Sequence, residues 1–159
     1  MTQKIVPNLW FDTEAEEAAE FYCSVFPDSR IVSVARYTDA GPREAGMVMV
    51  VEFELNGHRF VGINGGPEFK FDEAVSFQIN CEDQAEVDYY WDKLLEGGGQ
   101  PVQCGWLTDR FGVSWQVVPM PVIRMFQDKD PAKAARAMQA MMKMIKLDIA
   151  EVKKAFDGE

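Results

Sequence analysis

Cys104-Gly105-Trp106-Leu107-Thr108-Asp109-Arg110-Phe111-Gly112-Val113-Ser114-Trp115-Gln116-Val117-Val118-Pro119 reads as a strand, a tight turn and a second strand. Asp109-Arg110-Phe111-Gly112 supplies the turn, because glycine adopts the positive φ that a bend needs and aspartate bonds its own following backbone. From Val113 the side chains alternate. Val113, Trp115 and Val117 point one way, and Ser114, Gln116 and Val118 the other. One face is wholly apolar. The other carries a single amide, Gln116.

Working back from this stretch, the same order of elements appears twice. In the first half, Ile5–Phe11 reads as a strand. Thr13 with Glu16 gives a capping-box start for a helix to about Phe26, whose inner face is Ala18, Ala19, Tyr22, Val25 and Phe26. Strands follow at Arg30–Tyr37, Met47–Leu55 and Arg59–Asn64, the last two joined by the hairpin turn Asn56-Gly57. After the loop 65–71 comes a strand at Val75–Cys81. Asp83 with Glu86 then caps a helix to Leu95, with Val87, Tyr90, Trp91, Leu94 and Leu95 inward, stopped by Gly97-Gly98-Gly99. Strands at Pro101–Cys104, Trp106–Thr108 and Val113–Val118 complete the second copy. Glu20-Phe21-Tyr22 aligns with Asp88-Tyr89-Tyr90, and the same offset carries Asn8 onto Ser76. The pattern predicts an α+β fold of two tandem βαβββ modules, at about 4–64 and 74–119, within one domain spanning 1–120.

A helical extension, 121–159, follows. No element is read before Asp130-Pro131, which starts a helix over Ala132–Lys146; a kink near Leu147 leads to a second helix capped by Asp148 with Glu151, Leu147 being placed to staple against Val152. Met138, Met141, Met142 and Ile145 form an apolar stripe, expected to pack on the body of the chain or on a second copy.

Composition narrows the function classes. At 159 residues the chain is long enough for a real core. Its formal net charge of −10 argues against nucleic acid and anionic membrane surfaces, both of which need clustered Lys and Arg. There is no membrane-span pattern, and Met1-Thr2-Gln3-Lys4-Ile5 does not open a signal peptide, so a cytoplasmic location is expected. Cys23, Cys81 and Cys104 are widely spaced in apolar contexts and read as inert buried thiols. The one histidine, His58, sits beside a turn and forms no nucleophile–histidine constellation. Glu52 and Glu54 share a strand face, either as an acid–base pair or as the wet face of a strand near the sheet edge.

Two βαβββ modules carrying Pro7-Asn8-Leu9-Trp10-Phe11, Glu20-Phe21-Tyr22, the loop Asn64-Gly65-Gly66-Pro67-Glu68-Phe69-Lys70-Phe71, the 104–119 stretch and Lys146-Leu147-Asp148-Ile149 resemble the PhnB-like branch of the vicinal oxygen chelate superfamily. That superfamily includes glyoxalase I, bleomycin-resistance proteins and extradiol dioxygenases, and PhnB-like members are often labelled demethylubiquinone methyltransferases. The resemblance implies a U-shaped sheet in each half. It places the metal ligands of metal-dependent relatives at Asn8, at Gly62 or Asn64, at Ser76 and at Gln116. These are weak donors for Zn²⁺, Ni²⁺ or Fe²⁺, which prefer imidazole, carboxylate and thiolate. No metal and no cofactor are therefore expected. A methyltransferase of the usual kind needs a glycine-rich strand-to-helix turn for S-adenosylmethionine, whereas Gly97-Gly98-Gly99 follows a helix. The expected function is a metal-free, homodimeric small-molecule-binding protein. Its aromatic-lined pocket would draw on Asn8, Trp10, Phe53, Phe60, Asn64, Ser76, Phe77, Trp106, Trp115 and Gln116. The alternative is a metal-dependent lyase, isomerase or dioxygenase of the same superfamily.

Overall fold

A computed structural model describes residues 3–159; Met1 and Thr2, the start of the stretch read above for a signal peptide, lie outside the described residues. The chain divides into two compact units, the first through Phe71 and the second Asp72–Glu159. The first holds β1 (Asn8–Phe11), α1 (Ala15–Val25), β2 (Arg30–Arg36), β3 (Val48–Leu55) and β4 (His58–Asn64). The second holds β5 (Ser76–Cys81), α2 (Gln84–Leu95), β6 (Gln100–Pro101), β7 (Trp106–Thr108) and β8 (Ser114–Pro119), then α3 (Met120–Phe126), α4 (Pro131–Met141) and α5 (Ile149–Asp157). The two sheets have one topology, β1-β4-β3-β2 and β5-β8-β7-β6, with the first strand parallel to the last and the rest antiparallel. The duplication read from the sequence is thus a duplication of sheet order.

Each sheet buries one face under its helix. In the first unit, Tyr22 of α1 stacks on Phe53, ring centroids 6.3 Å apart, and Phe53 stacks on Phe60 at 5.6 Å. A Cβ on Gly62 would lie 3.2 Å from that of Ala15, so β4 is glycine where α1 approaches closest. In the second unit, Val87, Trp91 and Leu94 of α2 and Cys81, Leu107, Trp115 and Val117 of the sheet are all buried. Asp83 caps α2 as expected, its Oδ1 accepting from the Glu86 backbone N–H, while the Glu86 carboxylate reaches back to the N–H of Glu82. The C-terminal helices carry a small core of their own, in which Val122, Ala137 and Val152 are flanked by Met125, Phe126, Met144, Ile149 and Phe156. No helix among the described residues is long and apolar enough to cross a membrane.

Four local expectations are corrected. α1 starts at Ala15, preceded by Glu14, not at a Thr13 cap, because a side chain from β4 serves its first turn. β6 is only Gln100–Pro101: Cys104 and Gly105 take φ of +60° and +82°, and their N–H groups donate to the carbonyls of Met144 and Ile145. α3 runs straight on from β8, with Pro121 in its first turn where its missing N–H costs nothing. α4 ends at Met141, before the 144–145 carbonyls accept those two bonds. Of the expected apolar stripe, Met138, Met142 and Ile145 face solvent on this chain, and Ala137 is the fully buried position.

Candidate functional site

The strand registers sort every candidate side chain onto a face. In the first unit, Leu9 and Phe11 alternate with Asn8 and Trp10, and only the former are buried. Trp10 pairs with Ile63, Ile63 with Val50, and Val50 with Ala35, giving an apolar row across four strands on the face away from α1. The next row is Asn8, Val61, Glu52 and Ser33. The third is Arg59, Glu54 and Arg30. The open face therefore grades from apolar to charged along the strands.

The charged end neutralises itself. Arg59 places Nη1 2.8 Å from Glu52 and Nη2 3.1 Å from Glu54, and Arg30 Nε lies 3.2 Å from the other Glu54 oxygen. Hydrogen bonds from Arg59 and then Arg30 hold the Glu54 carboxyl below its usual range, outweighing desolvation. A carboxylate held ionised by two guanidiniums is a poor proton donor, so the Glu52/Glu54 pair has the character of a cross-strand ion network.

In the second unit the open face is polar. Its rows are Ser76, the buried Ser114 and Thr108, then Gln78, Gln116 and Trp106, then Asn80 and the buried Val118. Gln116 Nε2 donates to Ser76 Oγ at 2.9 Å, which orients the half-buried amide beside the cross-strand Trp106 indole. Ser76, Trp106 and Gln116 thus share one open face, and Asn8 and Trp10 share the other. Phe53, Phe60 and Asn64 sit on the helix-covered face of the first sheet, and Phe77 and Trp115 (5.4 Å apart) on the apolar face of the second.

Two buried polar residues turn out to be engaged by hydrogen bonds within the fold. Asn64 is 1% exposed; its Oδ1 accepts from the Ala15 N–H at 2.8 Å, and its Nδ2 donates to the Val48 carbonyl at 3.0 Å. Its own carbonyl accepts from Tyr37 Oη at 2.7 Å. The side-chain amide therefore ties β4 to the start of α1 and the start of β3, and the backbone carbonyl of the same residue ties it to Tyr37, just after β2. Asp109, read from the sequence only as a turn former, is 3% exposed. It accepts the N–H groups of Phe111 and Val113 on one oxygen and Trp115 Nε1, at 2.8 Å, on the other. The signal was present in the spacing Asp-x-x-x-x-x-Trp across a tight turn, but nothing in it says where the indole N–H points.

Trp10 is held by the loop that follows β4. Its Nε1 donates to the Gly66 carbonyl at 2.9 Å, and Phe69 meets it edge-to-face at 4.9 Å. A Cβ on Gly65 would lie 2.3 Å from the indole, so the residue there must be glycine.

Burial pushes the Cys81 thiol up to about 12, helped by Glu86, Asp83 and Glu82, and burial also raises Cys23. Neither is a thiolate near neutrality. The donors at the metal-ligand positions do not fit a first-row divalent ion. The Asn64 amide is committed to the backbone, Gly62 offers no side chain, Ser76 and Gln116 are neutral and bonded to each other, and His58 is exposed at the start of β4. No three His, Cys, Asp or Glu side chains gather into a metal-holding group among the described residues. Gly97 and Gly98, at φ of +83° and +127°, end α2 and lead to β6, so they do not open a helix toward a nucleotide.

Comparison with known proteins bears on the family and the fold. The family described as 3-demethylubiquinone-9 3-methyltransferase matches residues 3–118. A 3-demethylubiquinone-9 3-methyltransferase-type PhnB protein from Bacillus cereus is 38% identical, over 74% of this chain and 99% of its own, with a TM-score of 0.67. A protein from Pseudomonas aeruginosa shares the fold at 22% identity and a TM-score of 0.60, over 74% and 98% of the two chains. So does the fosfomycin resistance protein FosX from Listeria monocytogenes, solved with Mn(II) and sulfate, at 11% identity and 0.52, over 75% and 90%. No curated protein matches the sequence.

Proposed function

Because this chain belongs to the PhnB-like, 3-demethylubiquinone-9 3-methyltransferase family of the vicinal oxygen chelate superfamily, we propose that it is a small-molecule-binding protein that holds its ligand on one or other of its open sheet faces without a metal ion, as a homodimer. The observation that carries the reading is the chemistry of those faces. One presents Trp10, Ile63 and Val50 in a row, and the other an amide fixed beside an indole at Gln116 and Trp106. Apolar and aromatic surface with a few oriented polar groups is what a small-molecule site is made of. The side chains offered to a metal are amide and hydroxyl, and the nearby carboxylates are occupied by arginines. The methyl-transfer activity in the family's description draws no support from Gly97-Gly98-Gly99, which follow a helix and do not open one.

Native mass spectrometry of freshly purified protein tests the proposal. The expected result is a mass at twice the 18.0 kDa chain with no metal adduct. An additional mass of small-molecule size would start the identification of the ligand. A stoichiometric metal that survives desalting overturns the metal-free reading and restores the lyase, isomerase or dioxygenase alternative.

A further inference from the structure

We infer that Trp10 and Phe69 form an aromatic clamp for a planar, uncharged aromatic ring, an inference that rests on the small-molecule-binding reading above. Phe69 is 65% exposed although it is a large apolar side chain, and its ring stands at 72° to the Trp10 indole, centroids 4.9 Å apart. Two rings in this relation form a corner. A third ring laid on the free face of one meets the other edge-on, the arrangement that the aromatic quadrupole favours.

The loop is held so as to keep that corner. Its ends are pinned: Gly65 and Gly66 donate their N–H groups to the Phe11 carbonyl, and Phe71 packs edge-to-face on Phe11 at 5.3 Å. Between these pins, Pro67 and Glu68 form a turn, and residues 67–70 are exposed. The Phe69 side chain, largely exposed, can change rotamer to admit a ring without disturbing buried packing. Trp10 cannot, because Gly66 holds its Nε1.

The rest of the face sets the polarity of the ligand. The row beside the clamp, Trp10–Ile63–Val50–Ala35, carries no charge. Further along the strands Glu52 and Glu54 pair with Arg59 and Arg30, so there an ionised ligand meets no uncompensated partner, and the loop residues flanking Phe69, Glu68 and Lys70, are of opposite sign. An uncharged ring loses least on leaving water for such a surface.

The test is calorimetric titration with 1-naphthol, its saturated counterpart decahydro-1-naphthol, and 1-naphthyl phosphate. The proteins are the unaltered chain, Phe69→Ala and Phe69→Tyr. The expected order is 1-naphthol tightest, with roughly tenfold weaker binding to Phe69→Ala, about the size of one aromatic pair plus its buried area, and near-full binding to Phe69→Tyr. Thermal denaturation should be unchanged in Phe69→Ala, since the side chain is largely exposed. Equal binding of 1-naphthol to the unaltered chain and Phe69→Ala overturns the clamp and leaves the binding function standing. Preference for the saturated or the phosphorylated compound overturns the ligand class. If 1-naphthol does not bind at all, the clamp falls, and the mass-spectrometric result decides the broader reading independently.

Discussion

Replacing Asn64 by alanine should destabilise the first unit without touching a ligand. The substitution removes an acceptor 2.8 Å from the Ala15 N–H and a donor 3.0 Å from the Val48 carbonyl, in a site that is 1% exposed. No water replaces them at once, so both backbone groups are left unmet. Each such orphan costs about 1–3 kcal/mol, and loss of a helix cap costs about 1 kcal/mol, so the expected loss is roughly 2–5 kcal/mol. At about 2–4 °C per kcal/mol for a chain of this size, the midpoint should fall by roughly 5–20 °C. Urea denaturation followed by far-UV circular dichroism reads this as a lower midpoint at unchanged slope. Asn8→Ala is the control: its amide donates to the Val6 carbonyl in an exposed hydrogen bond, and the change should stay within about 0.5 kcal/mol. Asn64→Asp refines the test. The carboxylate still accepts from Ala15 and suits a helix N-terminus, but it turns a second oxygen toward the Val48 carbonyl. Only the protonated acid can donate there, so burial and that carbonyl favour protonation in the folded state. Stability is then present below the ordinary aspartate pKa of about 3.9 and declines as pH rises through the folded value, so the deficit against the unaltered chain widens with pH. A loss below about 1 kcal/mol in Asn64→Ala, with weaker ligand binding in its place, would refute the reasoning and return Asn64 to the ligand site.

Asp109→Asn should cost about 2–4 kcal/mol by the same logic, because the amide nitrogen must face either the Trp115 indole N–H or the turn N–H groups, donor against donor; a melting midpoint within a degree of the unaltered chain would rule this out. Glu54 is held below its usual range, so its contribution to stability is present above the ordinary glutamate pKa of about 4.3 and is lost as pH falls through the folded value. Glu54→Gln should accordingly flatten the fall of melting temperature between about pH 5 and pH 3, leaving the slope that Asp88 contributes through Lys146 and Gln84. Gly105→Ala places a Cβ 3.0 Å from both Leu147 Cδ1 and the Val117 carbonyl, at a φ of +82°. It should loosen the 142–148 segment, read as faster proteolysis there at a melting temperature lowered by several degrees.

The architecture of the two modules was legible because it is written in periodicities that local physics enforces. Alternation marked β3, β4 and β8, apolar spacing marked α1 and α2, and Asp83 and Asp130 announced their helices in the first turn. The fold class followed from the repetition of that order, and the family from motifs spread along it. Alternation also says that Trp115 and Gln116 point oppositely, whatever surrounds them.

What alternation cannot say is which face a helix covers, and that decided the site. Phe53 and Trp10 look equally like pocket aromatics in the sequence; Tyr22 stacks on the first, while the second lies on the open face under Phe69. Asn64 stood among the ligand positions because the family resemblance places one at Gly62 or Asn64, yet its amide serves an N–H that lies 49 residues away in sequence. The cap of α1, the truncation of β6 at Cys104 and the early end of α4 have the same origin. Each depends on a hydrogen bond between segments distant in the chain, to Asn64, Met144 or Ile145. Local sequence sets the propensity of an element, but a buried polar group must find its partner wherever the fold brings one, and only the tertiary structure shows where that is.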